Sequence, residues 1–241
     1  MNPPPDSGFA WDDFTEGKIL LVNKPAEWTS FDVVNKVRNT LKQVLGLKKI
    51  KVGHSGTLDP MATGLLILCT GKATRQLGDF QNLPKEYTGT LKLGACTPSY
   101  DAETPEEEIF PTHHITPEAI EAARQQFLGP IRQIPPMFSA IKVDGQPLYK
   151  RARKGEVIEV EAREVRIDRF ELTRIAIPEI DFLVACSKGT YIRSLAHDFG
   201  KALDSGAYLT ALHRTRIGQF SVTHAWEVAD LVAAIRQLRQ E

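Results

Sequence analysis

Apolar and polar positions alternate along the chain with two periods, and the switches between them mark the elements. Lys18 to Val22, KILLV, is a short apolar run that reads as a buried strand leading into Asn23-Lys24-Pro25. From Ser30 to about Leu45 the apolar residues Phe31, Val34, Val37, Leu41 and Val44/Leu45 keep helical spacing, with Thr29 or Ser30 as the cap. Leu65 to Cys69 is a short buried strand, and a short helix is expected from Gly71-Lys72 through Gln81. Lys85 to Leu93, KEYTGTLKL, alternates as a strand does. Thr116-Pro117 opens a helix with a cap and a first-turn proline, and Gly129-Pro130 closes it. Residues 131–155 read as irregular, with Pro135-Pro136 and the turn signal Asp144-Gly145. Strands are predicted at 157–160, 164–172 and 180–186, then a helix in the later part of TYIRSLAHDFGKAL and a strand over LTALHRTRIGQF. The last sixteen residues read as an amphipathic helix with Trp226, Val228, Leu231, Val232, Ile235 and Leu238 on one side. Residues 1–16 look like a flexible tail. No regular strand–helix–strand repeat appears, which points to an α+β protein on a mostly antiparallel sheet.

The bulk numbers narrow this picture little. A chain of 241 residues allows one large domain or two small ones. Thirty Lys and Arg balance thirty Asp and Glu, so an anionic partner must be held by local patches and not by a global field. Three spots are basic: KKIK at 48–51, KRARK at 150–154, and His213-Arg214 with Arg216. Each alone has the composition of a solvated surface, but phosphate contacts dominate nucleic-acid affinity. Cys69, Cys96 and Cys186 have no paired spacing, which fits reduced thiols in a cytosolic protein. The start, MNPPPDSGFAWDDF, is no secretory segment, and no apolar run has the length of a membrane span. His113-His114 lie in an acidic stretch, and no Cys-x-x-Cys, His-Glu-x-x-His or P-loop pattern occurs. Neither a metal nor a nucleotide cofactor is expected.

The segment GHSGTLDPMATGLL, Gly53–Leu66, concentrates the candidate chemistry. It sets one carboxylate, Asp59, among three glycines and a proline. Pro60 disfavours helical geometry at Asp59. An aspartate is ionised at neutral pH and acts as a nucleophile without a neighbouring base. An Asx-turn aspartate closing a loop has the same local sequence. A buried carboxylate needs a cation, and Arg193 in CSKGTYIRSL is the candidate. Tyr191 and Arg193 are two apart and share a face only where the chain is extended, so Thr190 to Arg193 should be strand-like or sit just before a helix. Tyr87 lies on a predicted strand, where it stacks on a base or packs in a core. Lys24 is a potential phosphate contact or a structural lysine, and His54 an RNA contact or a satisfied loop residue.

Together, GKILLVNKPAEWTSFDVVNKVR, GHSGTLDPMATGLLILCTGKATR, KEYTGTLKLG, CSKGTYIRSLAHDFG and GAYLTALHRTRIG resemble, in this order, the TruB family of tRNA pseudouridine synthases. The resemblance runs from about Gly17 to Phe220. It implies a pseudouridine synthase catalytic fold: a bent, mainly antiparallel mixed sheet flanked by helices and loops. It implies isomerisation of the T-loop uridine at position 55 of tRNA, with no cofactor consumed. Asp59 then matches the catalytic aspartate, Tyr87 the tyrosine that stacks on the target base, and Arg193 the arginine paired with that aspartate. Tyr191 matches a second site tyrosine, Leu212 an apolar residue near the base, His54 a loop histidine on the T-loop, and Lys24 the first motif, which supports the site.

The domain reading that follows is a tail at 1–16, a catalytic domain at 17–220 with an RNA-gripping insertion at 131–155, and a terminal helix at 221–241 without a PUA domain. Recognition is accordingly expected to centre on the tRNA T-arm and to depend weakly on the acceptor stem. A cytoplasmic monomer is expected, because tRNA recognition in the family needs no second subunit. Two other functions keep the same residues: a tRNA-folding chaperone without catalysis, and a pseudouridine synthase for another structured RNA.

Overall fold

A computed structural model describes residues 10–156 and 158–238. The chain gathers into two units, one of residues 1–87 with 213–241 and one of residues 88–212. The first unit opens with helix α1 (Trp11–Glu16), strand β1 (Ile19–Lys24), helix α2 (Ser30–Val44), strands β2 (Val52–Ser55) and β3 (Thr63–Thr70), and helix α3 (Leu77–Asn82). Strand β4 (Lys85–Leu93) begins in this unit and ends in the second. The second unit continues with β5 (Ala95–Cys96), β6 (Glu108–Ile109), α4 (Pro117–Gln126), β7 (Gly129–Gln133), β8 (Lys142–Val143), β9 (Gln146–Pro147), α5 (Leu148–Ala152), β10 (Arg163–Ala176), β11 (Glu179–Cys186) and α6 (Ile192–Ala202). Strand β12 (Ala207–Ile217) returns to the first unit, which closes with β13 (Phe220–Ser221), β14 (Trp226–Glu227) and α7 (Val228–Gln237).

In the first unit β3 is the central strand. It pairs antiparallel with β1, from Ile19↔Cys69 to Lys24↔Gly64, and antiparallel with β2, from Val52↔Thr70 to Ser55↔Ile67. It pairs parallel with β12 at His213↔Thr63 and Arg214↔Gly64, and β1 pairs parallel with β14. The run LLILC is uniformly apolar because β3 is covered on both faces. Leu66 and Leu68 join Leu20, Val22, Val37, Leu41, Leu231 and Ile235 on the side of α2 and α7. Leu65, Ile67 and Cys69 join Ala73, Phe80 and Ile217 on the other. Each fully buried side chain of this size stabilises by about 1.5–3 kcal/mol.

In the second unit β10 pairs antiparallel with β11 and with β7. Phe170 of β10 meets Phe199 of α6 edge to face at 5.6 Å and Phe182 of β11 at 6.3 Å, which seats α6 on the strands. The pairings are thus mixed and mainly antiparallel, with helices against the strands, as expected for the α+β class.

Several local expectations change. Residues 1–9 lie outside the described residues, but Trp11–Glu16, within the expected tail, is helical and buries Phe14 completely. Phe31 was placed on the apolar face of α2, yet it is 57% exposed, and Val33 takes the buried position. Gly129-Pro130 does end α4, but Gly129–Gln133 then forms β7, in an edge position that accepts a proline. Inside 131–155, β8 and β9 form a hairpin around Asp144 and Gly145, both with positive φ, and α5 follows. Residues 158–160 are not a strand, and Val157 lies outside the described residues. Trp226 belongs to β14 beside Val22, not to the last helix. Among the described residues no helix is long and apolar enough to cross a membrane.

Candidate active site

Asp59 sits in the turn between β2 and β3 and is half-buried. The Ala62 amide donates to the Asp59 carbonyl at 3.1 Å, closing a turn with Pro60 second, the position where its fixed φ suits a type I or II turn. Three neighbours clamp the rest of the loop. Ser30, the first residue of α2, accepts from the Leu58 amide at 2.8 Å and donates to the Leu58 carbonyl at 3.2 Å. Lys24, at the end of β1, donates to the carbonyls of Pro25, Trp28 and Pro60 at 2.9, 2.5 and 3.2 Å. Arg214 of β12 donates to the carbonyls of Leu65 at 2.7 Å and Gly56 at 3.1 Å. The carboxylate-bearing residue is therefore fixed through its backbone on both sides.

The glycines follow from this clamp. Gly56 has φ +83, and Gly64 has φ +106 with the Arg214 backbone pressed against the place of a Cβ. A Cβ on Gly53 would meet Leu77 of α3 at 2.7 Å. The close approach that glycine permits here is made by the protein's own β12 and α3.

Two fully buried cations, Lys24 and Arg214, lie under the loop. Burial pushes the Lys24 ammonium down to about 8; the Asp59 charge opposes that and the Arg214 charge adds to it. Lys24 thus carries its charge next to Asp59 at neutral pH and uses all three donors on carbonyls. Of the two readings of Lys24, phosphate contact and structural lysine, its full burial and its three carbonyl partners fit the structural one. Arg214, grouped with a basic surface spot in the sequence, is likewise internal. His54, on β2, is held below the usual imidazole range by burial and then by the Arg214 charge, so it is neutral at pH 7. His54 Nδ1 and Ser55 Oγ are buried without a hydrogen-bond partner among the described residues. Tyr87 of β4 is buried in this unit.

The second unit positions Tyr191, Arg193 and Leu212. Tyr191 is the extended residue capping α6, with φ −98 and ψ 111, but Arg193 lies inside the helix, in its first turn, so the expected extended geometry reaches only as far as Tyr191. The Gln133 side chain pins this junction twice, donating to the Tyr191 carbonyl at 3.0 Å and accepting from its amide at 2.7 Å. The Arg163 guanidinium lies 4.6 Å from the centre of the Tyr191 ring. Arg193 is buried; it donates to the carbonyls of Ser99 at 3.0 Å and Phe138 at 2.8 Å, and its Nε is 3.6 Å from Asp101 Oδ2. Leu212 is buried on β12.

Asp101 is the residue that sequence reasoning missed. It is completely buried, and its Oδ1 accepts from the Ser99 hydroxyl at 2.6 Å and the Glu103 amide at 2.9 Å. In the sequence it stands among Glu103, Glu106, Glu107 and Glu108, and only burial separates it from them. The KRARK spot is partly neutralised, since Arg153 meets Glu103 at 2.9 Å and Arg151 meets Asp144 at 3.4 Å.

The family model for the TruB family pseudouridylate synthase N-terminal domain matches residues 42–192, and that for the tRNA pseudouridylate synthase B C-terminal domain matches residues 193–241. A protein of Flavobacterium johnsoniae named tRNA pseudouridine synthase B is 56% identical over 218 residues, which is 90% of this chain and 95% of that protein. One of the same name from Phocaeicola vulgatus is 57% identical over 206 residues, covering 86% and 88%. Among solved structures, a chain of a Cbf5-Nop10-Gar1 complex superposes with a TM-score of 0.68 at 29% identity over 95% of this chain, which spans 59% of that one. With both parts of the family matched and relatives above half identity along nearly the whole length, the chain belongs to the TruB family of pseudouridylate synthases.

Proposed function

We propose that this chain converts the T-loop uridine at position 55 of tRNA to pseudouridine, with Asp59 as the reacting carboxylate. The observation that carries the reading is the clamp on the Asp59 loop. Lys24, Ser30 and Arg214 hold the backbone on both sides of a half-buried carboxylate in a chain of this family. Such fixation suits a group that must meet one atom of a bound base in one geometry.

The target uridine leaves its stack at a cost of a few kcal/mol, which aromatic stacking offsets. Asp59 drives cleavage of the N1–C1′ bond. The uracil turns and rejoins C1′ through C5, the C5 proton leaves, and N1 takes up a proton, so the step is an isomerisation. In this proposal Tyr87 stacks on the base, Arg193 is the cation for Asp59, Tyr191 and Leu212 flank the base, and His54 contacts the T-loop. Lys24 serves by bracing the loop. The protein acts as a cytoplasmic monomer on the T-arm.

The test uses a T-arm stem-loop labelled with tritium at C5 of the uridine. The native protein is expected to release tritium, and Asp59→Asn to bind the same RNA with release lowered at least about 1000-fold, the scale on which loss of a covalent nucleophile acts. Tight binding without release by the native protein would replace the enzyme by an RNA-folding chaperone. Release from another structured RNA but not from the T-arm would change the substrate.

A further inference from the structure

Between Asp32 and Asp59 the chain carries six cations, Lys36, Arg38, Lys42, Lys48, Lys49 and Lys51, and no carboxylate. In a chain with thirty charges of each sign this is a strong local asymmetry. All six lie on the outer side of α2 or in the connection to β2; Lys36, Lys48, Lys49 and Lys51 are exposed and the other two partly so. Several exposed cations elsewhere meet a carboxylate: Lys72 meets Glu16 at 2.5 Å, Arg166 meets Asp168 at 2.7 Å and Arg174 meets Asp181 at 2.6 Å. None of the six has a carboxylate within 4.0 Å among the described residues.

The face is tied to the Asp59 loop at two points. Arg38 donates to the Val52 carbonyl at 3.0 Å, at the start of β2, and Ser30 clamps Leu58 from the first residue of the same helix. Next to Ser30 the exposed ring of Phe31 lies 5.6 Å from the Arg38 guanidinium. Unneutralised cations with an adjoining exposed aromatic ring fit a nucleic-acid strand, whose phosphates meet the charges while a base or sugar covers the ring.

We propose that this face, from Phe31 along α2 to Lys51, binds the phosphate backbone of the substrate RNA beside the Asp59 loop. It rests on the pseudouridine synthase reading and extends it to the part of the RNA that flanks the reacting base. Each phosphate contact releases counterions, so it steepens the dependence of affinity on salt.

The test measures the dissociation constant of the T-arm stem-loop across a salt series, together with tritium release. The triple variant Lys48→Gln, Lys49→Gln, Lys51→Gln is expected to lower the slope of log Kd against log salt by about 2 to 3 and to raise Kd on the order of 10- to 100-fold at low salt. Lys48→Arg, Lys49→Arg, Lys51→Arg should keep the native slope. Phe31→Ala should raise Kd about tenfold at every salt concentration, because stacking releases no counterions. The single-turnover rate at saturating protein should stay native in all of these. An unchanged slope in the glutamine variant, with native tritium release intact, would overturn this inference and leave the enzyme reading standing. A lowered slope in a protein whose native form releases no tritium would keep the RNA-binding face and remove the enzyme reading. Loss of affinity for anionic lipid vesicles with RNA affinity unchanged would overturn it in favour of a membrane surface.

Discussion

Lys24 shows how burial decides a residue's role. As a residue type in Asn-Lys-Pro it suits a phosphate, but its three ammonium donors are spent on three carbonyls inside the protein. Lys24→Met would keep the volume and strand those carbonyls, each at about 1–3 kcal/mol, while removing the desolvation cost of a buried ammonium, which offsets part of that loss. The expected outcome is a loss of about 2–4 kcal/mol in stability, read as a lower urea midpoint with unchanged slope, and a fall in turnover with RNA affinity within about threefold of native. A tenfold weaker affinity at native stability would return Lys24 to the role of a phosphate contact. Asp59 was legible as a candidate because glycine and proline punctuate its surroundings, and the co-linear motifs made it specific. Asp101 was not legible, because four nearby acids share its chemistry and only the fold buries Asp101, and not them, beside Arg193.

At the scale of elements, the loop from Gly56 to Ala62 depends on what its neighbours bring to it. Gly64 pairs with Lys24 of β1 on one side and Arg214 of β12 on the other, with φ +106 and no room for a Cβ. Gly64→Ala is therefore expected to destabilise by about 2–4 kcal/mol, from backbone strain and displacement of β12, and to lower turnover further by loosening the Arg214 clamp. Thermal unfolding at matched concentrations checks the first part, and native stability in this variant would contradict the packing argument. Strong periods were readable: β4 occupies the predicted residues 85–93, and α2 lies within one residue of its prediction. Two-residue strands were not. Strand β14 has two residues and exists by pairing with β1, so it carries no period of its own, and Trp226 was absorbed into the helical pattern that follows. Residues 158–160 alternate as a strand does, yet the ladder of β10 starts only at Arg163. Alternation identifies a half-buried surface and leaves the pairing partner to the fold.

For the molecule as a whole, the buried histidines and Lys24 give stability a defined slope with pH. Burial holds His54, His197 and His213 below the ordinary imidazole value, His197 at about 4, where its ring stacks on Tyr100 at 3.8 Å. These rings are neutral when folded and take up protons more readily when unfolded. The unfolded chain therefore binds more protons between about 4 and 6.5, and stability rises with pH across that window and is lost as pH falls through it. Lys24 adds the same sign of slope in another window, between about 8 and 10.5, because its ammonium is also disfavoured by burial. Asp198, in the turn of α6 that carries His197, opposes the acid limb, since burial raises its carboxyl above 3.8. The expected result is a urea midpoint that falls steadily from pH 7 to pH 4.5, with a shallower fall in His197→Phe, which keeps a ring against Tyr100 and removes the titration. The midpoint of this variant should meet or exceed the native one at pH 4.5 even if it is lower at pH 7. Parallel profiles for the two proteins would show that the acid sensitivity comes from the other histidines or from the surface carboxylates, and that His197 titrates alike in the folded and unfolded chain.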